Sequence, residues 1–226
     1  FRAAECWEGG ATALRGGDGP LQITRPDPDH PLTRAMIDGG VAMGLDRIDD
    51  PNGPEAGGVG LANFNIDKAG LRHTSAQAYI APILSSERLT VLTETLAHHL
   101  TFEGDRATGV AVHSPKGEAL LTARQGVILA AGALETPRLL MLTGIGPAKE
   151  LAELDIALRI KAEGVGQNLQ DHPLVRALNF RATAPLGAMV GNGGGTLSIW
   201  KSDDTLPQAD LLAFPVQGRS AVPALW

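Results

Sequence analysis

Gly126-Val127-Ile128-Leu129-Ala130-Ala131-Gly132-Ala133-Leu134-Glu135-Thr136-Pro137-Arg138-Leu139-Leu140-Met141-Leu142-Thr143-Gly144 is the stretch on which the fold turns. Its first part, Val127 to Ala131, is an unbroken apolar run of the kind found in a strand buried on both faces of a parallel sheet. Gly132-Ala133 ends that run. Thr136 is a suitable N-cap with Pro137 at the first helical position, and Leu139 to Leu142 continue the apolar pattern until Gly144 stops it. Strand, glycine turn and helix in succession predict an α/β arrangement. A glycine at a strand's carboxyl end also lets a ligand approach the main chain, and a following helix offers free N–H groups and a positive dipole end, so phosphate is the natural guest.

Upstream, Leu89 to Thr95, Leu96 to Phe102 and Ala107 to His113 read as short strands, with Glu103-Gly104-Asp105 as a hairpin turn. From Trp7 to Gly70 the chain is rich in Gly, Pro and Asp turns, with one helix expected: Thr33 as its cap, Ala35, Met36, Ile37 and Val41 as its apolar positions, and Gly44 as its stop. The 28 glycines and 15 prolines in 226 residues exceed average usage of about 12% and predict many ordered loops.

Composition excludes several functions. A net charge of −6 and a pI near 5.5 lack the basic footprint that nucleic acid or an anionic membrane surface requires. No apolar run reaches the roughly 18 to 20 residues of a membrane-spanning helix. The single cysteine, Cys6, forms no internal disulfide and no cysteine-based metal site, so the cytoplasm is the expected compartment. No G-x-G-x-x-G follows a strand and no G-x-x-x-x-G-K-[ST] occurs. The chain begins on Phe1 rather than Met and ends on the apolar Ala221-Val222-Pro223-Ala224-Leu225-Trp226, so it is expected to be a piece of a longer protein.

Three other features carry less. His98-His99 lies in a strand pattern, where neighbours face opposite sides and do not chelate one metal. Asp171-His172 has the chemistry of a carboxylate orienting an imidazole, but no nucleophile stands at a recognisable spacing, and a structural loop before Pro173 is the favoured reading. Gly191 to Gly195, interrupted only by Asn192, reads as a mobile loop.

Two runs taken together resemble the glucose–methanol–choline (GMC) family of FAD-dependent oxidoreductases. They are Ala130 to Pro147 and Gly164-Val165-Gly166-Gln167-Asn168-Leu169-Gln170-Asp171-His172-Pro173, and their separation is also the family's. Weaker echoes are Gly19-Pro20-Leu21, Gly70-Leu71-Arg72-His73-Thr74-Ser75-Ala76 with Tyr79 and Pro82, Leu89 to Thr93, and Asp210-Leu211-Leu212. The sequence departs from the family at Thr143, where Ser is usual, at Ala162-Glu163, where Leu-Pro is usual, and at Ala97, where Val is common.

The resemblance implies a mixed α/β (α+β) fold: part of an FAD-binding doubly wound domain interleaved with part of an antiparallel-sheet substrate domain. It divides the chain into a turn-rich substrate-side segment at 1–68, a portion of the FAD domain at 69–172 and the start of the substrate domain at 173–226. It implies FAD as cofactor, with Ala97, Ala131 and Gly132 meeting it through the main chain, and a small-molecule alcohol as substrate. The family's dinucleotide fingerprint lies upstream of this chain and its catalytic His downstream, so no catalytic residue is assigned here and the chain alone is expected to be inactive. A lyase on the same fold that keeps FAD, or an inactive binding remnant, are the alternatives. Homo-oligomerisation is expected if apolar faces remain uncovered.

Overall fold

The computed structural model describes residues 1–54, 57–67, 69–175, 180–187 and 194–216. In chain order the elements are β1 (Glu5–Trp7), β2 (Leu21–Ile23), α1 (Pro31–Ala42), β3 (Gly58–Leu61), β4 (Leu96–Glu103), β5 (Arg106–Ser114), β6 (Gly117–Thr122), α2 (Gly132–Leu142), β7 (Ile145–Gly146), α3 (Ala148–Glu153), β8 (Ile160–Lys161), β9 (Thr196–Trp200) and β10 (Leu211–Ala213). Tight helical turns occupy Ala76–Ile80 and Ala81–Ile83. The chain forms two units, Phe1–Leu89 with Phe180–Trp226, and Thr90–Asn179. The mixed helix and sheet class with antiparallel sheets is the one expected from the sequence.

In the first unit β1 and β2 pair in parallel, and β10, β9 and β3 form an antiparallel sheet in that order. The 1–68 and 173–226 segments thus share one sheet, through Val59↔Ser198 and its neighbours. Helix α1 packs on β3 and β9. Its buried positions, Thr33, Ile37 and Gly40, recur at helical spacing on one face. A Cβ on Gly40 would lie 2.9 Å from Val59 Cγ1, so glycine there lets the helix approach the sheet.

Helix α1 starts earlier than expected. Pro31 occupies its first turn with φ already helical, and His30 takes the cap, its Nδ1 accepting the Leu32 N–H at 3.2 Å. Thr33 is therefore inside the helix and fully buried. Val41, expected on the apolar face, is 47% exposed. Gly44, at φ +95, ends the helix as expected.

In the second unit β4, β5 and β6 form an antiparallel meander. Glu103 pairs with Arg106, leaving Gly104-Asp105 as the two-residue turn at the expected place. The third strand, β6, escapes a pattern reading because five of its six residues are exposed and its apolar residues do not alternate. Leu89 to Thr95 forms no strand. A register shift between Ala97 and His99 interrupts β4, and His98 and His99 are both exposed. Beyond α2, the short parallel pair β7–β8 is connected through α3, whose Leu151 is fully buried.

The decisive stretch needs two corrections. Val127 to Ala131 is not a doubly buried strand: no ladder pairing forms along it among the described residues, Val127 and Leu129 are half-buried, and Ile128 is 93% exposed. An apolar run becomes a strand only when neighbours accept and donate its main-chain hydrogen bonds, and this one has no described neighbour strand. Helix α2 begins at Gly132, not Thr136. Gly132, at φ +85, turns the chain, and Thr136 Oγ1 reaches back to accept the Ala131 N–H at 3.0 Å. Pro137 therefore lies within the helix, where the missing N–H leaves the Ala133 carbonyl without its helical donor.

No helix among the described residues is long and apolar enough to cross a membrane. Gly191 to Gly193, part of the expected loop, lie outside the described residues. Leu134, Leu154, Leu169 and Ile128 are each more than 60% exposed. We expect the chain to associate at micromolar concentration. Sedimentation velocity that returned a single monomer species would contradict this.

Candidate functional site

The turn at Ala130–Gly132 sits where an extended segment meets the start of α2. No side chain caps the first turn of this 11-residue helix, and its N-cap residue is Ala131. Beyond the Ala131 N–H, which Thr136 Oγ1 accepts, the first-turn N–H groups have no side-chain cap among the described residues, and they mark the positive end of the helix dipole. Gly132 supplies the left-handed φ, and an added Cβ would meet nothing within 4 Å. Glycine is required here by backbone conformation rather than by crowding.

Ala97 lies in β4 at the register shift, half-buried, and pairs with Val112. Three residues on, the Leu100 N–H donates to Thr143 Oγ1 at 3.0 Å, while the same hydroxyl donates to the Leu139 carbonyl at 2.7 Å. Thr143 thus ties the end of α2 to β4, and Ser in its place keeps both bonds. We expect Thr143→Val to cost about 1–3 kcal/mol, because it strands a main-chain donor, and Thr143→Ser less than about 1. Chemical denaturation of the two variants measures the difference.

The Gly164–Pro173 loop turns at Gly166 (φ +77) and Asn168 (φ +57). Gln167 Nε2 donates to Glu150 Oε1 at 2.9 Å, tying the loop to α3. Asp171 Oδ1 accepts the main-chain N–H of His172 at 2.7 Å, and both residues are exposed, so the favoured loop reading of this pair stands. Between α2 and this loop lies an open groove of about 770 Å³, lined by Leu134, Pro137, Met141, Leu154 and Leu169 among others.

The first unit holds two features that the sequence reading missed. Arg15, 4% exposed, is bidentate to Glu5 (Nε to Oε1 and Nη2 to Oε2, 3.0 Å each). Its Nη1 donates to Asp50 Oδ2 at 2.5 Å and to Asn63 Oδ1 at 2.8 Å, and the guanidinium lies 4.1 Å from the Trp7 ring centre. The Arg15 hydrogen bond is the main cause that holds the Glu5 carboxyl below its usual range, aided by the Gly16 N–H. Burial works to lower the Arg15 pKa, but the bonds to Glu5 and Asp50 outweigh it and the net direction is upward. The second feature is a cleft of about 310 Å³ beside Ala62, Phe64, Leu197, Leu212 and Phe214. The period-two spacing of Ala62 with Phe64 and of Leu212 with Phe214 was the signal available for it. Among the described residues no group of three or more His, Cys, Asp or Glu is placed to hold a metal.

Residues 2–174 match the family model of the GMC oxidoreductases. The oxygen-dependent choline dehydrogenase of Ectopseudomonas mendocina (strain ymp) is 38% identical over 189 residues, which is 82% of this chain and 33% of that protein. The solved structure of pyridoxine 4-oxidase from Mesorbium loti matches with a TM-score of 0.80 and 32% identity, over 90% of this chain and 40% of that one. An FAD-dependent oxidoreductase from Chaetomium thermophilum matches with a TM-score of 0.70 and 28% identity, over 75% of this chain and 32% of that one. The chain spans about a third of the length of the curated relatives it matches. With the family model covering both signature runs and the turn between Ala130 and Gly132, this chain belongs to the GMC oxidoreductase family, whose members use FAD.

Proposed function

We propose that this chain is part of a flavin-dependent oxidoreductase that oxidises a small-molecule alcohol, with the Ala130–Gly132 turn and Ala97 as its own contribution to holding FAD. The observation that carries the reading is the uncapped N-terminus of α2 behind a glycine turn in open ground, within the region that matches the family. These residues fit the cofactor, because a helix N-terminus with free N–H groups suits a phosphate and the absence of a side chain at 132 leaves the main chain approachable. When bound, FAD supplies the acceptor for the hydride leaving the alcohol carbon. The chain's part is to bind and orient: Gly132 through its N–H group, Ala131 through the rest of its main chain, since its own N–H is held by Thr136 Oγ1, and Ala97 through the backbone of β4, where Ala in place of Val changes no main-chain group. The 69–172 segment belongs on this reading to the FAD domain, and 1–68 with 173–226 to the substrate side, in a cytoplasmic enzyme whose free Cys6 donates to the Gly17 carbonyl.

Flavin content tests this directly. In the flavin-bearing protein that contains this chain, Gly132→Val places a β-branched residue at φ +85, a strain of about 1–3 kcal/mol, and adds bulk where the cofactor is expected. We expect FAD affinity to fall about tenfold or more, with Ala97→Val close to unchanged. His172→Ala should leave alcohol-dependent bleaching of the flavin intact, since among the described residues no hydrogen bond links that imidazole to another side chain. Full flavin occupancy in Gly132→Val would defeat the assignment.

A further inference from the structure

The β10-β9-β3 sheet has two unlike faces. Val59 meets Gly40 of α1, so Val59, its partner Ser198 and, by alternation, Thr196 point to the helix side. Leu197, Ile199 and Leu212 then point to the other side. At the end of the sheet where β3 leaves, β9 enters and β10 finishes, the 310 Å³ cleft opens beside Leu197, Leu212 and Phe214, with Ala62 and Phe64 completing its apolar walls. The uncovered face of an antiparallel sheet is ordinarily polar. Here Leu212 is 56% and Phe214 49% exposed around a concavity, an arrangement that suits an apolar ligand.

The polar side chains lining this cleft are the amides of Asn52 and Asn63 and the hydroxyl of Thr196, all uncharged. Asn63 Oδ1 accepts from both Arg15 Nη1 and Asn52 Nδ2, which fixes the direction of the Asn63 amide. Its Nδ2 is buried and has no hydrogen-bond partner among the described residues. The described lining residues include no Asp, Glu, Lys or Arg, and the carboxylates of Glu5 and Asp50 are both engaged by Arg15. A quaternary ammonium calls for a free carboxylate or an electron-rich cage, and Phe64 and Phe214 are the aromatic groups on offer.

We propose that this cleft binds an uncharged aromatic or branched apolar alcohol in preference to a cationic one such as choline. The inference rests on the reading of the protein as an alcohol oxidoreductase, but binding to the cleft is measurable without flavin. Saturation-transfer NMR on the 226-residue chain, with benzyl alcohol and choline chloride as probes, provides the measurement. Benzyl alcohol should bind saturably and about tenfold or more tightly than choline. Leu212→Trp, which fills the cleft from an exposed strand, should weaken it about tenfold, and Phe214→Ala should weaken it in the same direction without filling anything. Choline binding as tightly as benzyl alcohol, or both variants binding benzyl alcohol like the parent, overturns the assignment. In the flavin-bearing protein, retained benzyl alcohol binding without flavin bleaching would instead count against the proposed reaction and leave the cleft standing.

Discussion

Replacing Arg15 by Ala should lower the stability of the first unit by about 3–5 kcal/mol, because it leaves the Glu5 and Asp50 carboxylates in a largely buried site without their counter-charge. Three further losses fall on the same change: the bond to Asn63, the packing over Trp7 and the brace between β1 and the 50–63 region. Trp7 and Trp200, the tryptophans among the described residues, both belong to this unit, so their fluorescence follows its unfolding. At an m of about 2 kcal/mol/M the urea midpoint should drop by roughly 2 M. Arg15→Lys keeps the charge but loses the two-pronged geometry, and should fall between. A loss below about 1 kcal/mol on Arg15→Ala would mean that the ion cluster contributes little.

The same cluster sets a pH dependence. Glu5 has a folded pKa below its ordinary value of about 4.5, so the unfolded chain binds protons more readily. Its stabilising contribution is complete above that ordinary value and is lost as pH falls through the lower folded value. Acid unfolding of the first unit should therefore begin below about pH 4.5, and Glu5→Gln should flatten that limb of the curve.

The second large effect is expected in the other unit. Leu151 is fully buried on the two-turn helix α3, and a Cβ on Gly146 of β7 would lie 3.6 Å from its Cδ1. Its carbonyl accepts the Ile156 N–H at 2.9 Å, so the side chain is anchored where the helix ends and the chain returns toward β8. Leu151→Ala should cost about 2–5 kcal/mol, since a six-residue helix with little intrinsic stability cannot collapse onto the vacated space without losing its own packing. Far-UV circular dichroism against denaturant measures it. A cost under about 1 kcal/mol would mean that the pair β7–β8 is held by main-chain bonds alone.

Legibility differed along the chain for identifiable reasons. The Gly104-Asp105 turn and the Gly44 stop were readable because each depends on a left-handed glycine and its immediate neighbours. The start of α2 was misread because Thr136-Pro137 has the form of a cap and first residue, whereas the Gly132 turn starts the helix four residues sooner and puts the Thr136 hydroxyl to use from inside it. The α1 cap shifted for a similar reason, with His30 preceding Pro31 outcompeting Thr33.

By itself the sequence determined the family, through the two signature runs, and with it the cofactor and the mixed helix and sheet class. It also placed the Ala131-Gly132 turn and the β4–β5 hairpin, both of which follow from local backbone chemistry. Tertiary structure alone decided that Glu5, Arg15, Asp50 and Asn63 meet, and that β3 pairs with β9 across more than 130 residues of chain to expose an apolar cleft on one face. Such encounters depend on which distant segments bury one another, and no period of two or 3.6 residues encodes that choice. The Val127–Ala131 run shows the converse: apolar character is intrinsic to a sequence, but burial requires a neighbour to supply the other surface.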